Sequence, residues 1–200
     1  MLPQVSPSPL TSLKEPIGHP NWIYELKHYR FRGILYVDRD QAWLVSRKGK
    51  KFRQLDPLLR QVLRSLKGQH AILDGEIVVL DEKGRSNFYD LMARRGEPRY
   101  YAFDLVWLNG HDLRVQPLLE RKRRLRRLIP PNDSHLLYVE HLEEGDGRRF
   151  FELVCEQDLE GIICKPGTIR YPFTWIKEKN PNYSQAVGRG EWFERRLAER

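Results

Sequence analysis

From Trp22 onward the chain is dense in short apolar runs with the spacing of strands, broken at intervals by stretches with helical spacing. Residues 22–26, 31–37 and 42–46 read as the first strands, and Asp38-Arg39-Asp40 between the last two predicts a tight hairpin. Asp56-Pro57 opens a helix, with Asp as the cap and Pro at the first helical position. Leu58, Leu59, Val62, Leu63 and Leu66 follow at helical spacing as far as Gly68. Residues 71–80 read as a strand interrupted at Asp74-Gly75-Glu76, residues 81–84 as a turn, and Ser86 as the cap of a short helix through Met92. Residues 100–108 are strand-like and end on Asn109-Gly110, a strong turn signal. Residues 117–129 form an amphipathic helix with a very basic face. Leu118, Leu125, Leu128 and Ile129 supply its apolar stripe, and Pro130-Pro131 ends it. Residues 136–139, 161–165 and 174–179 read as strands and 146–157 as a helix.

Strands and helices mix without a regular βαβ alternation or an internal repeat, which predicts an α+β fold with largely antiparallel sheets. Residues 1–21, rich in Pro and Ser, read as an extended arm, and 22–200 as one domain. A chain of 200 residues, 40% hydrophobic, suffices for a sizeable core. No apolar run approaches the roughly 20 residues that cross a bilayer. The opening Met1-Leu2-Pro3-Gln4-Val5-Ser6-Pro7 lacks the basic and apolar segments of a signal peptide. A cytoplasmic protein without a membrane partner is expected. Cys155 and Cys164 sit in apolar surroundings without close Cys or His neighbours. They read as two buried small hydrophobes in a reducing compartment. Lys plus Arg number 35 against 27 Asp plus Glu, a net charge of +8 with His neutral. That surplus points to a polyanionic partner, nucleic acid first.

No Walker-type glycine loop, dinucleotide fingerprint or Ser-His-Asp arrangement is legible. The chain offers instead lysines, arginines and glutamates at strand ends: cations for phosphates, carboxylates for a divalent metal, an aromatic for a base. In order these are Glu25-Leu26-Lys27-His28-Tyr29-Arg30-Phe31-Arg32, Ser46-Arg47-Lys48-Gly49 and Leu73-Asp74-Gly75-Glu76-Ile77-Val78. Tyr101-Ala102-Phe103-Asp104-Leu105, Leu159-Glu160-Gly161-Ile162-Ile163-Cys164-Lys165 and Trp175-Ile176-Lys177-Glu178-Lys179 follow. Strand alternation puts Lys177 and Lys179 on one face, so one site can use both. As an ordered set, from Trp22 to the C-terminus, these segments resemble motifs I, III, IIIa, IV and V of the adenylation (nucleotidyltransferase) domain of ATP-dependent DNA ligases, particularly the bacterial type. Ser-Arg-x-Gly also lies in that family's place between motifs I and III. Single segments such as Asp-Gly-Glu are weak; their order carries the resemblance.

The resemblance implies a nucleotidyltransferase fold: two mainly antiparallel β-sheets flanked by helices, an ATP-grasp-like ligase core. It implies that Lys27 attacks the α-phosphate of ATP, expelling pyrophosphate and forming a lysyl-AMP phosphoramidate. AMP then passes to the 5′-phosphate of nicked double-stranded DNA, and a 3′-hydroxyl displaces it. A lysine ammonium has no lone pair, so Lys27 must first lose a proton, and the neighbouring cations expected to favour that loss are Arg32, Lys177 and Lys179. By the same carry-over Glu25 lies beside the adenine pocket, and Arg32 and Arg47 contact ribose and phosphate through their planar forks. Glu76 sits by the ribose or the metal, Phe103 stacks on adenine, and Glu160 helps to hold Mg²⁺ or Mn²⁺. Lys165, Lys177 and Lys179 surround the α-phosphate. Trp175, on their face, reads as packing.

Two features depart from the family. Its motif I is Lys-x-Asp-Gly-x-Arg; here Tyr29 and Arg30 replace Asp and Gly, putting a bulky cation where close backbone approach is usual. That motivates an alternative: a catalytically inactive adenylation fold acting as a nucleic-acid-binding or docking module. After residues 180–185 only a charged tail runs to Arg200, which leaves no room for the family's OB-fold domain and its motif VI. A separate DNA-binding or repair protein is therefore an expected partner of a monomer. RNA ligase or capping activity ranks below both readings, because Tyr183-Ser184-Gln185 resembles bacterial DNA ligases. Arg121-Lys122-Arg123-Arg124 with Arg126 and Arg127 reads either as a contact to phosphate backbone or, preferred, as a solvated helix face. Arg189, Arg195, Arg196 and Arg200 share that ambiguity.

Overall fold

The computed structural model describes residues 2–12, 18, 20–28, 31–82, 84–93, 95–143 and 145–184, without the side chains of Phe88 and Met92. Tyr29, Arg30, Gln185 and the tail arginines Arg189, Arg195, Arg196 and Arg200 lie outside the described residues. One sheet runs in the order β1 (Leu10–Ser12), β11 (Trp175–Lys179), β10 (Gly161–Pro166), β2 (Trp22–Leu26), β9 (His141–Glu143). The other runs β4 (Gln41–Ser46), β3 (Phe31–Asp38), β5 (His70–Val78), β6 (Arg99–Leu108), β7 (His111–Asp112), with β8 (Leu136–Tyr138) beside β6. Four helices accompany them among the described residues: α1 (Asp56–Ser65), α2 (Phe88–Ala93), α3 (Leu118–Leu128) and α4 (Gly147–Glu156). Pairing is antiparallel except between β1 and β11 and between β6 and β8. The expected α+β class, two mainly antiparallel sheets with flanking helices, is the one observed.

Turn chemistry sets the registers. Asp38 pairs with Gln41, so only Arg39 and Asp40 form the β3–β4 turn, and Arg39 adopts φ 52°. Leu108 pairs with His111, and Asn109 (φ 47°) and Gly110 (φ 89°) supply the two left-handed residues of such a two-residue turn. Asp146, expected inside the helix, instead caps α4, accepting from the amides of Arg148 and Arg149 at 3.0 and 3.2 Å.

Three local expectations are corrected. Leu55, not Asp56, holds the cap position of α1, without a side-chain hydrogen bond, and Asp56 lies in the first turn, where its charge suits the helix dipole. Asn87 rather than Ser86 precedes α2; its side chain accepts from the Asp90 amide at 3.1 Å, while Ser86 bridges to Leu80. Asp74-Gly75-Glu76 does not break β5, because register shifts against β6 absorb the irregularity. A Cβ on Gly75 would meet the Tyr100 ring and the Tyr101 carbonyl at 2.5 Å, so that close approach needs glycine.

Each sheet buries one face under helices. Leu35, Val37, Leu73 and Leu105 meet Leu58 and Val62 of α1 and Leu125 of α3. Tyr24, Ile162 and Cys164 meet Val154 and Phe150 of α4. Across the opposite faces, Phe103 of β6 meets Trp175 of β11 edge to face, with ring centroids 5.2 Å apart. Both cysteines are free; Cys164 is buried, but Cys155 is only half-buried, contrary to expectation. Burial pushes the Cys164 thiol up to about 12. Among the described residues no helix is long and apolar enough to cross a membrane.

Candidate active site

Strand register gathers the chemistry-bearing residues. Ile163 of β10 lies opposite both Glu25 of β2 and Lys177 of β11. With a side-chain period of two, Lys165, Trp175 and Lys179 share their face. From the second sheet, Arg32 pairs with Glu76 and Glu76 with Tyr101, two residues before Phe103. Glu25, Lys27, Arg32, Glu76, Phe103 and Lys165 line one cleft between the sheets.

At one end of the cleft the Lys27 Nζ donates to Glu160 Oε1 at 2.7 Å, with the two side chains only 12% and 5% exposed. Glu160 Oε2 is buried with no hydrogen-bond partner among the described residues. The Lys177 amine is pushed below its ordinary value by burial first and then by repulsion from Lys179, Lys27 and Arg47, against the pull of Glu160. These groups therefore sense one another, and positive charge is in excess. Lys179 and Arg47 are exposed. The backbone here is tightly specified: the Lys27 amide donates to the Gly161 carbonyl at 2.9 Å. Gly161 has φ 143°, and a Cβ there would run into the Glu178 carbonyl. Only glycine fits beside Glu160.

At the other end Glu25, 2% exposed, accepts from Lys122 at 2.6 Å and from Lys165 at 2.5 Å. Burial pushes its carboxyl up, but the two lysines together hold it below its ordinary value. Lys165 moves down to about 8, through burial first and the crowding of Lys122, against the pull of Glu25. Its amine lies 3.9 Å from the Trp175 ring centroid and 4.5 Å from that of Phe103. The Arg32 guanidinium also stands over Trp175, at 4.5 Å. Arg32 is not open to solvent: its fork donates to Asp74 at 3.0 and 2.7 Å, and to the Ser8 carbonyl at 2.5 Å. Tyr171 donates its hydroxyl to the same Asp74, at 2.8 Å.

The structure revises several sequence expectations. Lys165, expected beside Lys177 and Lys179, is held by Glu25 at the aromatic end. Trp175 is a wall of the cleft and not packing alone. Neither reading of the basic helix covers Arg121 and Lys122, which are fully buried while Arg123, Arg124, Arg126 and Arg127 are exposed. Arg121 forks onto Asp104 at 2.8 and 2.9 Å and donates to the carbonyls of Gln116 and Ile169. The missed signal was periodicity: 118, 121, 122 and 125 fall on one helical stripe, whatever their charge. Asp74 and Lys122 were not anticipated, because their partners lie far away in the chain.

A cleft with surplus cations around one lysine and aromatic rings at its far end suits a nucleotide with its phosphates, the ligand class of nucleotidyltransferases. The family model for the ATP dependent DNA ligase domain matches residues 1–179, and the chain belongs to that family. It is 35% identical over 161 residues to the multifunctional non-homologous end joining protein LigD of Pseudomonas aeruginosa, covering 78% of this chain and 19% of that protein. It is 31% identical over 194 residues to the SPbeta prophage-derived DNA ligase-like protein LigB of Bacillus subtilis, covering 92% of this chain and 70% of that one. The chain thus spans about a fifth of the length of the LigD relative. Among solved structures, mycobacterial DNA ligase D complexed with ATP and MES superposes with a TM-score of 0.74 at 29% identity, over 86% of this chain and 60% of that one. The ligase domain of Mycobacterium tuberculosis LigD gives 0.72 at 29% identity, over 86% and 59%.

Proposed function

We propose that this chain performs the adenylylation step of an ATP-dependent DNA ligase, with Lys27 as the nucleophile. The observation that carries the reading is the Lys27–Glu160 pair, set at the mouth of the cleft among Lys177, Lys179 and Arg47. Glu160 Oε1, at 2.7 Å, is an acceptor in reach of a proton leaving the Lys27 Nζ. The freed lone pair forms a bond to the α-phosphorus of ATP. The bond from that phosphorus to the bridging oxygen breaks, and pyrophosphate leaves with the electron pair. Lys177, Lys179 and Arg47 offset the negative charge that grows on the phosphate oxygens. At the far end the Glu25 carboxylate accepts from the exocyclic amine of adenine, Phe103 stacks on the base, and Arg32 and Glu76 flank the sugar. Glu160 Oε2, buried and without a hydrogen-bond partner among the described residues, fits a divalent cation, and Glu76 lines the cleft that Lys27 also lines. Mg²⁺, when bound, neutralises phosphate charge. The relatives' names extend the reading to transfer of AMP onto the 5′-phosphate of nicked DNA, in company with a further DNA-binding domain or repair protein.

A second reading rests on Tyr29 and Arg30: a silent adenylation fold that binds nucleic acid. Intact-protein mass spectrometry after incubation with ATP and Mg²⁺ separates the two. The first reading expects a gain of one AMP in the parent and none in Lys27→Ala. A parent without adduct, beside an adduct in Tyr29→Asp/Arg30→Gly, defeats the first and puts the second ahead, which further expects DNA binding by the parent.

A further inference from the structure

Lys122 of α3 does not itself line the cleft, yet its ammonium bonds to three residues that do. It donates to Glu25 Oε1 at 2.6 Å and to the Val139 carbonyl at 3.1 Å, and makes a longer contact of 3.4 Å to the carbonyl of Phe103. An ammonium has three donors, and these contacts occupy them all. The side chain is fully buried, with Nζ 4.6 Å from the Tyr138 ring centroid. Burying such a cation is costly, and an apolar side chain of similar volume would serve packing as well or better. Stability is therefore a poor reason for a lysine here, whereas geometry is a good one.

We propose that Lys122 is a positioning residue that sets the purine selectivity of the site. This deepens the base-recognition reading of Glu25 and rests on it. Lys122 fixes Oε1 from the α3 side, while Oε2 accepts from Lys165, whose amine lies against Phe103 and Trp175, and keeps a second lone pair for a ligand. A carboxylate held this way only accepts hydrogen bonds. It favours a base edge bearing an amine and disfavours one bearing a carbonyl oxygen. The same ammonium anchors the backbone of the stacking Phe103 and of the wall residue Val139, so carboxylate and ring keep one spacing. Facing this group are Glu25 and Lys165 from the first sheet, Tyr138 and His141 from the β8–β9 region, and Asp104, which acts on Lys165.

Dissociation constants for ATP and for inosine triphosphate, measured by calorimetry on the full chain without Mg²⁺ so that no adduct forms, test the proposal in Lys122→Met, Lys122→Gln and Lys122→Arg. The parent is expected to prefer ATP. Lys122→Met and Lys122→Gln should weaken ATP about tenfold and inosine triphosphate less than about threefold, so that the preference collapses. Lys122→Arg should restore most of it. An unchanged preference, or equal losses for both nucleotides in a folded variant, overturns the proposal. If Lys122→Met does not fold, the Gln and Arg variants decide by the same ratio. A parent that binds ATP selectively but forms no adduct defeats the Lys27 chemistry and leaves the ratio to judge Lys122. A parent that binds both nucleotides alike removes base reading by Glu25 and this inference together.

Discussion

Lys27 and Lys165 are both cleft lysines held by a glutamate, at 2.7 Å from Glu160 and 2.5 Å from Glu25 respectively, yet their surroundings differ. Around Lys27, cations outnumber the carboxylate, and Lys179 and Arg47 reach solvent. Around Lys165, every charged partner is buried, two lysines share one carboxylate, and Phe103 and Trp175 close the space. Exposed surplus charge is available to a polyanion, because a ligand supplies the missing counter-charge. Buried and bonded charge is committed to geometry, because moving it strands its partner. The same distinction divides α3, where Arg121 is locked onto Asp104 while Arg124, three residues on, faces water.

The contrast breaks most visibly at Arg121. Arg121→Met strips the buried Asp104 of its ion-pair partner and leaves it the Leu105 amide, and unfolding in urea should show a loss of about 3–5 kcal/mol. Adding Asp104→Leu should recover most of it. At the phosphate end, Lys177→Met should slow AMP adduct formation about a hundredfold while the melting temperature barely moves, since the side chain is half-buried and acts on the ligand. A smaller effect sharpens the account of the base end. Between pH 8 and 10.5 the unfolded chain keeps a proton on Lys165 that the folded chain has released, so this group's contribution to stability rises with pH. The slope is at most about 1.4 kcal/mol per pH unit. Urea unfolding from pH 7 to 10 should show this rise in the parent relative to Lys165→Met. The least effect is expected from Arg124→Ala, within about 0.5 kcal/mol by the same unfolding assay.

Much of the fold was legible because its signals are local. The Asn109-Gly110 turn, the helix that starts near Asp146 and the strands carrying the motifs depend on backbone preferences within a few residues. The motif order was legible too, and Glu25, Lys27, Arg32, Glu76, Phe103 and Lys165 of its residues line the cleft, whereas Arg47, Glu160, Lys177 and Lys179 are not part of that lining. Arg121 and Lys122 defeat a reading that equates charge with exposure, although helical spacing from Leu118 to Leu125 puts both on the buried stripe. Asp56 falls one residue inside α1, whose cap position is Leu55, and α2 takes the equally suitable Asn87 where Ser86 is the expected cap.

By itself the sequence determined the element types and the family to which the motifs belong; the need for glycine at Gly75 and Gly161 came from neighbours that the fold brings up to them. Tertiary structure alone decided which cations are committed and which are available. Lys27 meets Glu160 across 133 residues, Lys122 meets Glu25 across 97, and Lys165 meets it across 140. A lysine's chemistry depends on the charge, burial and dipoles within a few ångströms, and those neighbours arrive from strands that only the folded sheets bring side by side.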